Sequence, residues 1–124
     1  MKNYLLVCLG GGIGAMSRYW LSGAVYRWFP ASFPFGNLIV NISGCFMIGL
    51  LMTAFNDRFA VNPALRLFLV IGILGGYTTF SSFSYETISL FGDREVFRAS
   101  LNIAGSVIGC LAATVLGNYA GRLL

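Results

Sequence analysis

Gly72-Ile73-Leu74-Gly75-Gly76-Tyr77-Thr78-Thr79-Phe80-Ser81-Ser82-Phe83-Ser84 lies at the centre of a long apolar run and carries two opposed signals. The run as a whole, near Leu65 to Phe91, has the length to cross a bilayer, which takes about 20 apolar residues. Its centre, however, is poor helix. Paired glycines lose much backbone freedom on ordering, and the β-branched and hydroxyl residues after them are weak helix formers. A break here frees backbone carbonyls at mid-membrane. In lipid those carbonyls need partners, and a bound cation is one candidate. Just after the break, Phe80 and Phe83 stand at i, i+3 on one helix face, with Ser81 and Ser84 at the same spacing on the next.

Working outward, three more spans of membrane length appear, near Tyr4 to Tyr26, Phe35 to Phe55 and Ala99 to Ala120. Pro30, Pro34 and Pro63 punctuate short connectors, as in a tight helical bundle. The expected fold is an all-α membrane protein, one domain over residues 1–124, with four transmembrane helices of which the third is broken. Lys2 before an apolar run imitates a signal peptide, but three further spans follow, so the first run reads as an uncleaved membrane helix.

Composition agrees. Of 124 residues, 57% are hydrophobic and 10% charged, against about 25% charged in a soluble domain. The net charge of +4 comes from scattered basic residues, which suit membrane-flanking anchors rather than a nucleic-acid surface. Cys8, Cys45 and Cys110 sit apart in apolar runs and the chain has no histidine, so a Cys/His metal site is not expected. Gly10-Gly11-Gly12-Ile13-Gly14-Ala15 fits a dinucleotide-binding pattern, but no strand precedes it and no βαβ unit surrounds it.

Orientation is nearly balanced. Lys2, Arg58, Arg66 and Arg122 fall on the side of the termini, and Arg27, Arg94 and Arg98 on the other, four against three. The positive-inside rule barely chooses. Insertion one way up and dual topology both stay open, and dual topology would permit an antiparallel homodimer. Glycine is abundant, 16 in all, with small-xxx-small pairs at Gly10/Gly14, Gly72/Gly76, Gly105/Gly109 and Gly117/Gly121. Such pairs let helix backbones approach closely in lipid.

Polar residues at membrane depth are costly and therefore functional candidates. Arg18 in span one either meets an acid or an anion, or snorkels to the nearer interface. Glu86 is the one acid inside a span; it serves a basic neighbour, an interface or a proton relay. Asn37 and Asn41 share a face of span two with Ser43 nearby, and Asn102 and Ser106 repeat the i, i+4 spacing in span four. An amide or hydroxyl can donate to an anion without a full charge, or can simply bond two helices together. Phe80 and Phe83 either form a packing stripe or turn their positive ring edges inward. Ring edges between hydroxyl donors would give a small anion the weak, repeated sites that conduction needs.

With these residues in view, the chain resembles the Fluc (CrcB) fluoride channels. The likeness is carried by GGGIGAMSRY (Gly10 to Tyr19), FGNLIVNISGCFMIG (Phe35 to Gly49) and GGYTTFSSFSYE (Gly75 to Glu86), the last being the most specific. It covers essentially the whole chain. The resemblance implies a passive fluoride channel of the bacterial-type cytoplasmic (inner) membrane, not an enzyme, assembled as an antiparallel dual-topology homodimer. It implies that Phe80 and Phe83 are the pore phenylalanines and Asn41 the pore-lining amide, with Thr79 and Ser81 in the same polar neighbourhood. It also implies a structural, untransported Na+ held at the dimer interface by backbone carbonyls of Gly75 and Thr78 from both subunits. Arg18 and Glu86 match motif residues of the family. Asn37 stands where many relatives carry threonine and Asn102 where many carry tyrosine, and Ser106 matches a small hydroxyl; a polar track survives both departures. Two competing readings are a proton-coupled small multidrug exporter, which needs an acid where span one has only Arg18, and a non-transporting assembly subunit, which leaves the broken span unexplained.

Overall fold

The computed structural model describes residues 1–57 and 59–124 of the chain. Arg58, one of the basic residues counted for orientation, lies outside the described residues. Helix α1 covers Lys2–Val25 and α2 covers Phe35–Asp57. A composite third unit follows: α3 (Pro63–Arg66), a π-helical segment (Leu67–Leu74), α4 (Gly75–Tyr77) and α5 (Phe80–Gly92). Helix α6 (Val96–Leu123) closes the chain. The helices cover the four apolar runs read from the sequence to within about three residues at each end, a scatter ordinary for helix termini.

Local chemistry sets the ends. The Asn62 side chain accepts from the Ala64 N–H at 2.8 Å, and Pro63 needs no N–H partner in the first turn. Beyond α5, Arg94 takes a left-handed conformation with φ 62°. That reversal lets the Arg94 and Glu95 N–H groups return to Phe91 and Leu90 carbonyls at 3.1 and 2.9 Å.

Among the described residues, three stretches are long and apolar enough to cross a membrane: Phe35–Asn56, Pro63–Gly92 and Val96–Leu123, with mean hydropathies of 2.1, 1.5 and 1.8. The chain is an all-α, multi-pass membrane protein. Helix α1 has 24 residues, but its glycines, Arg18 and the Tyr19-Trp20 pair dilute its apolar character. Burial is inverted relative to a water-soluble domain. The buried apolar residues are mostly small, such as Val40, Ala54, Ala99 and Ala113, whereas Leu5, Trp20, Ile108 and Leu111 point outward. Lipid accepts those side chains, so the interior is left to glycine, alanine and hydroxyl contacts.

Two seams hold the bundle. In the first, α1 lies on the π-helical segment and α4. A Cβ on Gly10 would stand 2.9 Å from Gly72 Cα, and one on Gly14 would collide with the Ile73 carbonyl and lie 2.8 Å from Tyr77 N. In the second, α2 lies on α6, where a Cβ on Gly117 would collide with the Phe46 carbonyl and lie 2.9 Å from Leu50 N. The small-xxx-small pairs thus mark true backbone contacts, except that Gly105 and Gly109 meet only the side chains of Leu38 and Ile42.

The break falls inside the expected stretch, immediately before Phe80, at its threonines and not at its glycines. Gly75 and Gly76 are helical, within α4. The chain opens at Thr78 (φ −82°, ψ 155°) and Thr79 (φ −149°, ψ 119°). The reason is packing. Gly76 is pressed against the Gly11 backbone, where any side chain would collide, so its bareness serves contact. The β-branched threonines tolerate the extended backbone that the break requires.

Candidate functional site

The extended pair Thr78–Thr79 leaves two half-helices whose facing ends have no intrahelical partners. One side chain of α2 meets part of that need. Asn41 accepts from the Thr79 N–H at 2.8 Å through Oδ1 and donates to the Thr79 carbonyl at 3.0 Å through Nδ2. The amide thus bonds Thr79 as a neighbouring strand would. In a continuous helix the Thr79 N–H would serve the Gly75 carbonyl; here it is turned to Asn41 instead. On the preceding side, the Thr78 hydroxyl and N–H both donate to the Leu74 carbonyl at 3.0 Å.

Thr79 also starts α5. Its Oγ1 accepts from the Ser82 N–H at 3.3 Å and pairs with the Ser81 hydroxyl at 3.1 Å and the Ser82 hydroxyl at 3.2 Å. This is an N-cap, the role for which a short hydroxyl side chain is suited. It gathers three hydroxyls at one point of the bundle.

Directly beyond the cap, the rings of Phe80 and Phe83 lie 5.4 Å apart between centroids and tilted by 48°. They share a groove of about 360 Å³ with Asn41, Thr79 and Ser106. With Thr78, which also borders it, six of the candidate residues, from α2, the break, α5 and α6, are therefore brought to one place. The groove is open along one side, and Phe80 is 79% exposed. Its remaining wall is formed by Thr78, Val107, Leu111 and the two cysteines Cys45 and Cys110.

The other candidates lie around the groove. Asn102 is 1% exposed and donates to the Thr87 hydroxyl at 2.9 Å; Thr87 in turn donates to the Phe83 carbonyl at 2.7 Å. Asn37 donates to the Glu86 carboxylate. Glu86 borders a second, more polar hollow of about 380 Å³ near the turns, with Tyr26, Ser32, Asp93 and Arg98. Gly75 and Thr78 meet in a third hollow, of about 340 Å³, beside Gly44 and Cys45. Arg18 is half-buried on α1 and has no acidic partner among the described residues.

Sequence reasoning missed two participants. Thr87 links Asn102 to α5, and the Tyr77 hydroxyl pairs with Ser43 at 2.8 Å. Only Tyr77 had a signal, its place between the glycines and the threonines.

The chain matches the family described as CrcB-like protein, Camphor Resistance (CrcB), over residues 5–118. It is 47% identical to a protein of Geobacter sulfurreducens named fluoride-specific ion channel FluC, across the full length of both chains. A protein of the same name from Geotalea uraniireducens is also 47% identical over both full lengths. A third such protein, from Methylococcus capsulatus, is 42% identical over 95% of this chain, which spans 52% of that longer relative.

Proposed function

The chain belongs to the CrcB family, and on that premise we propose that it is a fluoride-specific ion channel that lets fluoride leave the cell passively across the bacterial cytoplasmic membrane. The observation that carries the reading is the groove that unites Asn41, Thr79, Phe80, Phe83 and Ser106. It supplies an amide, two hydroxyls and two ring edges, each a weak partner for a small anion and none a full positive charge. Conduction needs sites that bind enough to admit an ion and weakly enough to release it. The family relationship selects fluoride among small anions, since the relatives bear that name. The proposed activity asks no residue to make or break a covalent bond.

The open side of the groove and the exposure of Phe80 support a second copy as the missing wall. A near-balance of basic residues across the spans favours an antiparallel arrangement of the two copies. Helix α1, at about 1.5 Å per residue, is long enough to be the fourth span. The break fits a structural Na+. Gly75 and Thr78 would hold it through carbonyl oxygens, the donor type a hard cation prefers, and the Thr79 N–H that would occupy the Gly75 carbonyl is engaged elsewhere. Once bound, the ion supplies a fixed positive charge and is not transported. The exporter reading has no support, because α1 carries no acid and the relatives are named channels.

Purified protein in liposomes should release trapped fluoride, read with an ion-selective electrode, and retain chloride. Equal rates for the two halides would overturn the assignment. Phe80→Ile and Phe83→Ile remove the ring edges while keeping apolar bulk, and each should slow fluoride efflux at least about tenfold, the loss of about 1.4 kcal/mol of stabilisation along the path. Wild-type efflux in both variants would remove the rings from the route.

A further inference from the structure

Cys45 on α2 and Cys110 on α6 line the same groove as Phe80 and Phe83. Both are free and half-buried. They stand on the two helices of the α2–α6 seam, which the close contacts of Gly117 and Gly121 hold in register. Neither belongs to the polar set assigned to fluoride. Cys8, by contrast, lies on the exposed face of α1 and is not part of the groove wall.

Two sulfurs on facing helices are a donor set of a definite kind. Thiolates are soft ligands and select soft cations such as Cu(I) over hard ones such as Na+ or Mg2+. Soft monovalent ions are content with two sulfur ligands. Charge narrows the choice of state. An uncompensated ion is costly in a low-dielectric groove, so the favoured complex is neutral: one monovalent cation, one thiolate and one thiol. Forming it breaks one S–H bond, makes two metal–sulfur bonds and releases one proton to water.

We infer that Cys45 and Cys110 form a two-sulfur site for a soft monovalent cation, Ag+ or Cu+, and that an ion held there closes the groove to anions. The site itself follows from the placement of the two thiols. Its blocking action rests on the reading of the groove as the fluoride route.

The test uses Ag+ as the probe, with the full chain in detergent and in chloride-free nitrate buffer. A Cys8→Ser background removes the third thiol. Calorimetry in buffers of different ionisation enthalpy should give one Ag+ bound and one proton released per chain. Adding Cys45→Ser or Cys110→Ser should weaken binding by at least about tenfold, since losing a ligand costs no less than losing its supporting contacts. A wild-type measurement needs no substitution to fold: bound Ag+ should shield Cys45 and Cys110 from alkylation together, leaving Cys8 reactive. Shielding of Cys8 alone, or equal Ag+ binding with both groove thiols replaced, would overturn the site. In liposomes, Ag+ should stop fluoride efflux through the Cys8→Ser protein and spare the variant that also carries Cys45→Ser. Undiminished efflux from Ag+-loaded protein would overturn the block alone. Absence of fluoride efflux before any Ag+ is added would remove the block together with the channel reading, while the binding measurements would still decide the site.

Discussion

Asn41 joins two elements through one side chain, and its energetic role can be separated from its position in the groove. Removing it strands both the N–H and the carbonyl of Thr79, and each stranded buried group costs about 1–3 kcal/mol. Asn41→Ala should therefore lower the thermal unfolding midpoint of the detergent-solubilised protein, whatever it does to flux. Asn41→Asp keeps the acceptor and loses the donor, so its midpoint should fall between those of wild type and Asn41→Ala. Equal midpoints for all three proteins would show that the bidentate bond is not a structural tie. Asn102 is a contrasting case. Its amide ends on the Thr87 hydroxyl and not in the groove, so it acts on Phe83 through the α5 backbone, by way of the Thr87 hydrogen bond.

At the scale of elements, the glycines divide into those that seat helices and those that do not. A side chain on Gly14 would run into the backbone of Ile73 and Tyr77, whereas one on Gly12 meets nothing within 4 Å. Gly14→Val should destabilise the fold by about 1–3 kcal/mol or more, as overpacking does, and reduce the yield of monodisperse protein on size exclusion. Gly12→Ala should be neutral or stabilising by up to about 1 kcal/mol, through helix propensity alone. Similar losses from both would mean that the α1 seam is not where the structure places it. This division also shows what the sequence could and could not disclose. The i, i+4 spacing of Asn37 and Asn41 put both on one face, because helical period is a local property, and both amides bond the third unit. The i, i+3 spacing of Phe80 and Phe83 likewise brought their rings together. The break could be read only as lying somewhere in the run before Phe80, because whether Gly75 and Gly76 open the helix or pack it depends on Gly11 in another element. Thr87 was invisible for the same reason: its partner Asn102 lies across a helix contact that no local pattern encodes.

For the whole molecule, charge balance is the property most open to experiment. If function needs two copies in opposite orientations, fixing every copy one way up should abolish it. Adding two or three lysines at the α5–α6 turn, beside Arg94 and Arg98, should bias insertion strongly. That variant alone should give little fluoride efflux from cells. Co-expression with a second variant carrying added lysines near the termini should restore it. Full activity of either biased variant by itself would rule out the antiparallel pair. The opening at Thr78–Thr79 has a further electrical consequence. Helix dipoles place partial positive charge at a helix's start and partial negative charge at its end. A single continuous span would carry both poles out to the membrane surfaces. By parting in mid-course, the third unit brings one pole of each sign to the middle of the bundle, the end of α4 facing the start of α5. One interruption of two residues thus offers an attractive field to a cation on its N-terminal side and to an anion on its C-terminal side.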